Sequence, residues 1–305
     1  MRASKVPYRS IDRMPGGSRF GRLISASSAL LFGKRMIIAK SQKDMEKMRA
    51  VGELIATVRE TLRSMIGPGV TSLELNAAAE KMMRDAGAIP TFIGYKPRGM
   101  TPFPFAICAS VNEQVVHGFS TDVPLREGDI LSIDMACTLD GFVGDTAITV
   151  PVGEIPDEIE QLIRVTEECL NAAIEQCRPN KRVGDIGWAV QSHAEQFGYG
   201  IVRDYTGHGI GRSMHEAPQI PNFGRPGTRE RIRAGYCFAI EPMLNLGTPE
   251  TKTLDDGWTV VTRDGKPSAH AEHTVAVTAD GPEILTLTRE QKEKRRADQA
   301  GTAAA

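Results

Sequence analysis

The stretch ILSIDMACTLDGFVGDTAITV, residues 130–150, leaves a chain little freedom. Two apolar, β-branched runs flank Asp140-Gly141, a dipeptide that favours a two-residue hairpin turn. A turn on those two residues pairs Asp134 with Ala147 and Ala136 with Asp145. Asp134 and Asp145 then become diagonal neighbours on one face, their Cα atoms about 7–8 Å apart. Two carboxylates so placed converge on anything lying between them. A turn displaced by one residue would break this parity, because side chains alternate faces along a strand. The bland alternative is a pair of solvated strand ends. ILSI before Asp134 and MAC after it are core-like, however, and an unpaired aspartate in a core is costly.

Two further acids stand in similar company. Glu241 follows CFAI and precedes Pro242; Glu272 precedes HTVAV. Singly, each is more often a satisfied edge residue than a ligand. Four acids embedded in apolar strands together call for cations. Residues 207–215, GHGIGRSMH, add His208 and His215, two of the chain's six histidines, in a loop punctuated by Gly207, Gly209 and Gly211. Oxygen-rich sites with an imidazole suit Mn, Fe, Co or Zn better than a structural thiolate zinc. The five cysteines (Cys108, Cys137, Cys169, Cys177 and Cys237) form no CxxC pair. Their odd number argues against a disulfide framework and for a reducing compartment.

Helical spacing runs from about 41 to 65 through Met45, Met48, Val51, Ile55, Val58 and Leu62, with MIIAK before it read as a strand and Ser41 as the cap. Gly67-Pro68-Gly69 breaks it, Thr71 or Ser72 caps a second helix, and Gly87 ends that. Residues 157–198 repeat the scheme of helix, proline-containing turn and helix. Displaced by 111 residues, Pro68 meets Pro179, Glu74 meets Asp185, Leu75 meets Ile186 and Gly87 meets Gly198. This is the pattern of two related halves; coincidence between two helical hairpins is the alternative. The runs FAICASV, ILSIDMACTL, TAITVPVG, CFAIEPML, WTVVT and HTVAVT read as strands. The fold class is α+β, with one sheet system and helix pairs outside it.

Residues 1–35 carry eight basic side chains against the single Asp12. Three readings fit: a leader upstream of a true start near Met36, an organelle-targeting segment, or an RNA-binding arm. A catalytic domain is expected over 36–290 and a frayed tail over 291–305. A net charge of −1 excludes a molecule that is an electrostatic nucleic-acid binder as a whole. No apolar run reaches the ~18 residues needed to span a membrane.

Tyr205-Thr-Gly-His208-Gly-Ile-Gly-Arg-Ser-Met-His215, followed by Ile220 and Asn222-Phe223, resembles the signature of the type I methionine aminopeptidases. The DGxxGD hairpin, the EPM triplet and the AEHT stretch follow in that family's order, and the likeness runs from about Met36 to Thr286. It implies a pita-bread fold, two pseudo-symmetric halves around a dinuclear metal site, in keeping with the 111-residue displacement. It further implies that Asp134 chelates one metal, that His208 and Glu241 hold the other, and that Asp145 and Glu272 bridge both. His117 and His215 would contact substrate and assist the chemistry, with Glu241 also moving a proton. Only 25 residues separate His215 from Glu241, too few for the helical insertion of the type II enzymes. The segment GYKPRGMTPFPF and Met214 depart from the plainest bacterial pattern. Tyr95, Phe103, Cys108, Met214 and Trp258 are expected to line the methionine pocket. His193, His270 and His273 receive no role beyond structure.

The implied activity is removal of N-terminal methionine from nascent proteins, preferentially when the second residue is small, by two divalent ions (Co, Mn, Fe or Zn). The implied setting is the cytoplasm, as a monomer, with nascent chains and the ribosome as partners and no membrane or specific nucleic-acid ligand. Two alternatives compete. X-Pro peptidases of this fold share the five ligands but add an N-terminal domain that 35 residues cannot make. A non-catalytic binding relative would typically have lost ligands, and all five are present here.

Overall fold

The computed structural model describes residues 36–303, so the basic leader expected over 1–35 lies outside the described residues. Helix α1 (Gln42–Met65) starts where Ser41 Oγ accepts from the Asp44 amide and the Asp44 carboxylate accepts from the Ser41 amide, a reciprocal cap. Helix α2 (Ser72–Asp85) is capped the same way by Thr71 and Glu74, and Gly87, at φ +76°, ends it. Helices α3 (Asp157–Ile174) and α4 (Val183–Ala194) form the second pair. Displaced by 111 residues, the first residue of α2 falls on the first residue of α4. Asp185 accepts from the Arg182 amide at 2.7 Å, as Glu74 does from the Thr71 amide at 2.8 Å. The repeat read from sequence is a repeat of structure.

A nine-stranded antiparallel system forms the centre. Its longest pair is the hairpin of Ile130–Leu139 and Phe142–Pro151, turned at Asp140 (φ +50°) and Gly141 (φ +77°), both left-handed as a primed turn requires. The first half contributes these strands with Ile89–Pro90 and Ile107–Val111; the second contributes Gly207–Gly209, Glu216–Ile220 and Cys237–Ile240. Strand Glu272–Val277 lies between Phe142–Pro151 and Cys237–Ile240 and joins the halves. The arrangement is the α+β pita-bread fold. Helix α1 packs directly on the hairpin, where a Cβ on Gly144 would stand only 3.2 Å from the Val51 backbone. Met48, Val51, Ile55 and Leu62 share one core with Leu131, Ile133 and Met135. A second core gathers Leu162, Val165, Leu170 and Val190 around Phe238, Ile240 and Val275.

Three elements differ from expectation. Residues 36–40 are not a strand, although the Lys40 amide donates to Gly235 O. CFAIEPML is two strands, Cys237–Ile240 and Met243–Asn245: Pro242 has no N–H for a ladder, and Met243 pairs with His270 of another sheet. Where a frayed tail was expected, helix α5 (Arg289–Ala303) runs from residue 289, and Lys292 is paired with Glu53 of α1 at 3.1 Å. Its Lys, Glu, Gln and Arg residues are good helix formers with almost no apolar stripe to betray them. Among the described residues no helix is long and apolar enough to cross a membrane.

Candidate metal centre

The hairpin takes the register expected of it: Asp134 opposite Ala147, Ala136 opposite Asp145. The neighbouring strands extend that row, Cys108 opposite Asp134 and Glu272 opposite Ala147. Asp134 and Glu272 therefore flank Ala147 on one face, and the alanine methyl leaves the space between them open. Asp145 stands two residues along on the same face. From the other half, strand Gly207–Gly209 brings His208, and Glu241 follows strand Cys237–Ile240 directly. Gly209 permits the approach, since a Cβ there would lie 2.1 Å from Ala217 O.

His208 shows what the site is built for. Its Nδ1 lies 3.0 Å from Gly209 O, a carbonyl that only accepts, so Nδ1 carries the proton. Nε2 then presents a bare lone pair, 3.5 Å from Glu241 Oε1 and 4.0 Å from Asp145 Oδ2. Lone pairs converging without a proton between them repel unless a cation sits among them. Donor atoms of Asp145, His208 and Glu272 lie within 4.8 Å of one another. Among the described residues, Asp134 Oδ1, Asp145 Oδ1 and Glu272 Oε1 are buried without a hydrogen-bond partner, and no lysine or arginine lines the pocket. Burial, then mutual repulsion, drives the carboxyl groups of Asp145, Glu241 and Glu272 well above their ordinary range, and burial raises Asp134 to about 7. A protein does not strand four such acids without a counter-charge; the donor set fits divalent ions.

The imidazoles are held neutral. Burial, followed by the neighbouring His215, lowers His208 to about 3 and His117 to about 4; burial also lowers His215. His117 sits in the left-handed region, φ +61°, directly after strand Gln114–Val116, its ring edge-on to Trp258 and Tyr205. His215 lies 4.3 Å from His208, ring to ring, and its Nδ1 is 3.0 Å from the Tyr95 hydroxyl.

The acids open into a pocket. Every residue singled out from sequence lines it: Asp134, Asp145, His208, Glu241, Glu272, His117, His215, Tyr95, Phe103, Cys108, Met214 and Trp258. The GYKPRGMTPFPF segment closes on itself, with Gly94 N donating to Phe103 O and Phe103 N to Tyr95 O, so both aromatics reach the pocket. Trp258 Nε1 donates to Thr101 O at 3.0 Å, and its ring packs edge-on to Phe103. Burial lifts the Cys108 thiol well above its usual range, so it stays neutral and packs as an apolar group. Phe92 also lines the pocket and was not foreseen. The available signal was an aromatic two residues before Gly94, inside a loop.

A profile of metallopeptidase family M24 matches residues 46–279. The methionine aminopeptidase of Clostridium perfringens is 47% identical over 254 residues, 83% of this chain and all of that protein. Methionine aminopeptidase 1 of Bacillus subtilis is 44% identical over 82% of this chain and 99% of its own length. The crystal structure of the Rickettsia prowazekii methionine aminopeptidase superposes with a TM-score of 0.80 at 44% identity, covering 83% of this chain and 100% of that one. The Xaa-Pro dipeptidase of Bacillus anthracis, at 20% identity and a TM-score of 0.64 over 81% of this chain and 61% of its own, shares the fold.

Proposed function

The chain belongs to metallopeptidase family M24, and on that premise we propose that it is a methionine aminopeptidase, removing N-terminal methionine from peptides and nascent chains, preferentially ahead of a small second residue. One observation carries the reading: four acids and a neutral histidine, with three buried acidic oxygens lacking any partner, open into an aromatic and sulfur-lined pocket.

Asp134 is assigned to one divalent ion, His208 and Glu241 to a second, and Asp145 and Glu272 to both. When bound, such ions (Co, Mn, Fe or Zn) supply Lewis-acid chemistry that acidifies water and polarises a carbonyl. The protein's own groups do the rest. Phe92, Phe103, Met214, Trp258 and Cys108 surround a flexible, polarisable thioether. The acid cluster, with its ions in place, would also hold the peptide's free α-amine, which restricts cleavage to the chain's first residue. His117 contacts the scissile amide. His215, steadied by the Tyr95 hydroxyl, donates to the oxygen on which negative charge develops. Glu241 carries a proton towards the leaving amine.

The same reading places the enzyme in the cytoplasm as a monomer meeting nascent chains at the ribosome, with its catalytic domain over 36–290. A protein beginning at Met36 should keep full activity; loss of activity would put residues 1–35 inside the catalytic unit. Mass spectrometry of the native N-terminus distinguishes a start at Met36 from cleavage of a targeting segment. The deciding assay compares Met-Ala-Ser with Ala-Pro peptides, with and without added Co or Mn. Metal-dependent release of methionine from the first alone is expected; cleavage of the second alone would overturn the assignment in favour of an X-Pro peptidase.

A further inference from the structure

Arg59 is the one charged residue on the buried face of α1, 2% exposed. A guanidinium is seldom placed so deep without a function for its donors. Its ionic partner, the adjacent Glu60, keeps 28% of its side chain exposed, so the pair is not a sealed ion pair. The remaining donors reach further. Nη1 donates to Thr146 Oγ1 at 2.7 Å and to Thr286 O at 3.2 Å, and lies 3.3 Å from His273 Nδ1.

Thr146 follows Asp145 in the chain, and His273 follows Glu272. They are also register partners across their two strands. Successive side chains alternate faces, so while Asp145 and Glu272 point into the metal centre, Thr146 and His273 point to the reverse face, where α1 lies. Their further bonds lead back to the acids. Thr146 Oγ1 donates to Glu272 O at 2.9 Å. His273 Nδ1 lies 2.8 Å from Thr286 Oγ1, and that oxygen accepts from the Thr274 amide. Thr274 Oγ1 in turn donates to Asp145 O at 2.8 Å and accepts from Asp145 N at 3.0 Å. Both strands that carry the shared acids are gripped from behind by one side chain. No contact of Arg59 reaches Asp134, His208 or Glu241.

We infer that Arg59 is a positioning residue for the metal centre: from helix α1, through Thr146 and His273, it fixes the separation of the strands bearing Asp145 and Glu272, and so the distance between the two bridging carboxylates. The inference rests on the ligand assignment proposed above. Outer-shell partners of metal ligands typically govern affinity by about 10- to 100-fold. The Arg59 clamp should act on that scale, with the two-ion state more sensitive than the first ion bound.

The test is calorimetric titration of Co and of Mn into metal-stripped parent, Arg59→Met, Arg59→Lys and Thr146→Val, with thermal unfolding of each metal-free protein in parallel. Methionine matches the stem of arginine without its charge, and replacing a buried charge by a hydrocarbon of similar length is often neutral or stabilising. Metal-free Arg59→Met should therefore melt at or above the parent's temperature, yet bind the second ion about 10- to 100-fold more weakly. Its kcat should fall at limiting metal and recover at saturating metal, with KM for Met-Ala-Ser nearly unchanged. Arg59→Lys should lie between the two, and Thr146→Val should reproduce the weakened second ion. A merely structural arginine would move the melting temperature and leave affinity alone. Parent-like affinity for both ions in a folded Arg59→Met overturns the clamp. If Arg59→Met does not fold, parent-like affinity in Thr146→Val overturns it. A parent that takes up neither ion removes the ligand assignment and the clamp together.

Discussion

Helices α1 and α3 hold equivalent places in the two halves, and the 111-residue displacement that aligns them sets Arg59 of α1 on Leu170 of α3. Leu170 is 5% exposed and packs into the second core with Phe238, Ile240 and Val275. On the buried face of α3, Thr166 bonds within its own helix to Leu162 O and Cys169 Sγ reaches only Val190 O of α4. One half thus backs the central sheet with hydrocarbon and the other with a branching set of hydrogen bonds. Duplicated architecture does not imply duplicated tasks. The hydrocarbon side supplies cohesion, which is non-directional. The polar side supplies distances and angles, which hydrogen bonds enforce.

The largest effect that could break this division lies at the shared acids. Asp145→Asn keeps the shape but would put a neutral amide where the two proposed ions meet. The expected outcome is one ion at most, bound weakly, and no turnover even in millimolar Co or Mn. Two tight sites in calorimetry, with near-normal turnover, would rule out bridging by Asp145.

Next come the two histidines of GHGIGRSMH. His215→Ala should lower kcat/KM by about 10²-fold or more with metal content close to the parent's. His208→Ala should lose metal and turnover together. Equal metal loss in both, measured by atomic absorption after dialysis, would erase the distinction between ligand and substrate contact.

The comparison between halves is sharpened by Leu170→Ala. Emptying that core position should cost about 2–5 kcal/mol in urea unfolding and leave the affinity for Co and Mn where it was in whatever fraction stays folded. Arg59→Met is expected to do the reverse. A Leu170 variant that weakens metal binding as strongly as an Arg59 variant would mean that ordinary packing, from either side, sets the site's geometry.

The smallest effect separates the two caps. Thr71→Ala removes a hydroxyl that accepts from the Glu74 amide and should cost about 1 kcal/mol. Arg182→Ala, at the equivalent place, should cost less, because the Asp185 carboxylate bonds the backbone amide of residue 182, which any residue but proline provides. Urea midpoints of the two variants decide it.

Much of the centre was legible in the sequence because period-two alternation and a two-residue turn leave one register, and register fixes which face each acid occupies. The pairing of Asp134 with Ala147 followed from residues alone. Arg59 did not. In TVRETLRS it reads like Arg63, a solvated helix charge, and its partners Thr146 and His273 stand 87 and 214 residues away. One signal was present: Arg59 lies four residues after Ile55 and three before Leu62, on the face that periodicity marks as buried. Phe92 and helix α5 escaped for a related reason. A lone aromatic in a loop and an almost wholly polar helix owe their positions to distant surfaces rather than to local pattern.

The strand Glu272–Val277, set between Phe142–Pro151 and Cys237–Ile240, gives the molecule a history as well as a shape. Chains are made from the N-terminus, so this strand is synthesised after both of its neighbours. Until residue 277 is free of the synthetic machinery, the first half ends in one open sheet edge and the second half in another, each a template for unwanted pairing. The late strand closes both edges at once, and its first residue, Glu272, completes the acid set in the same event. The protein therefore acquires its metal-binding capacity and its protection against aggregation together, near the end of its own synthesis.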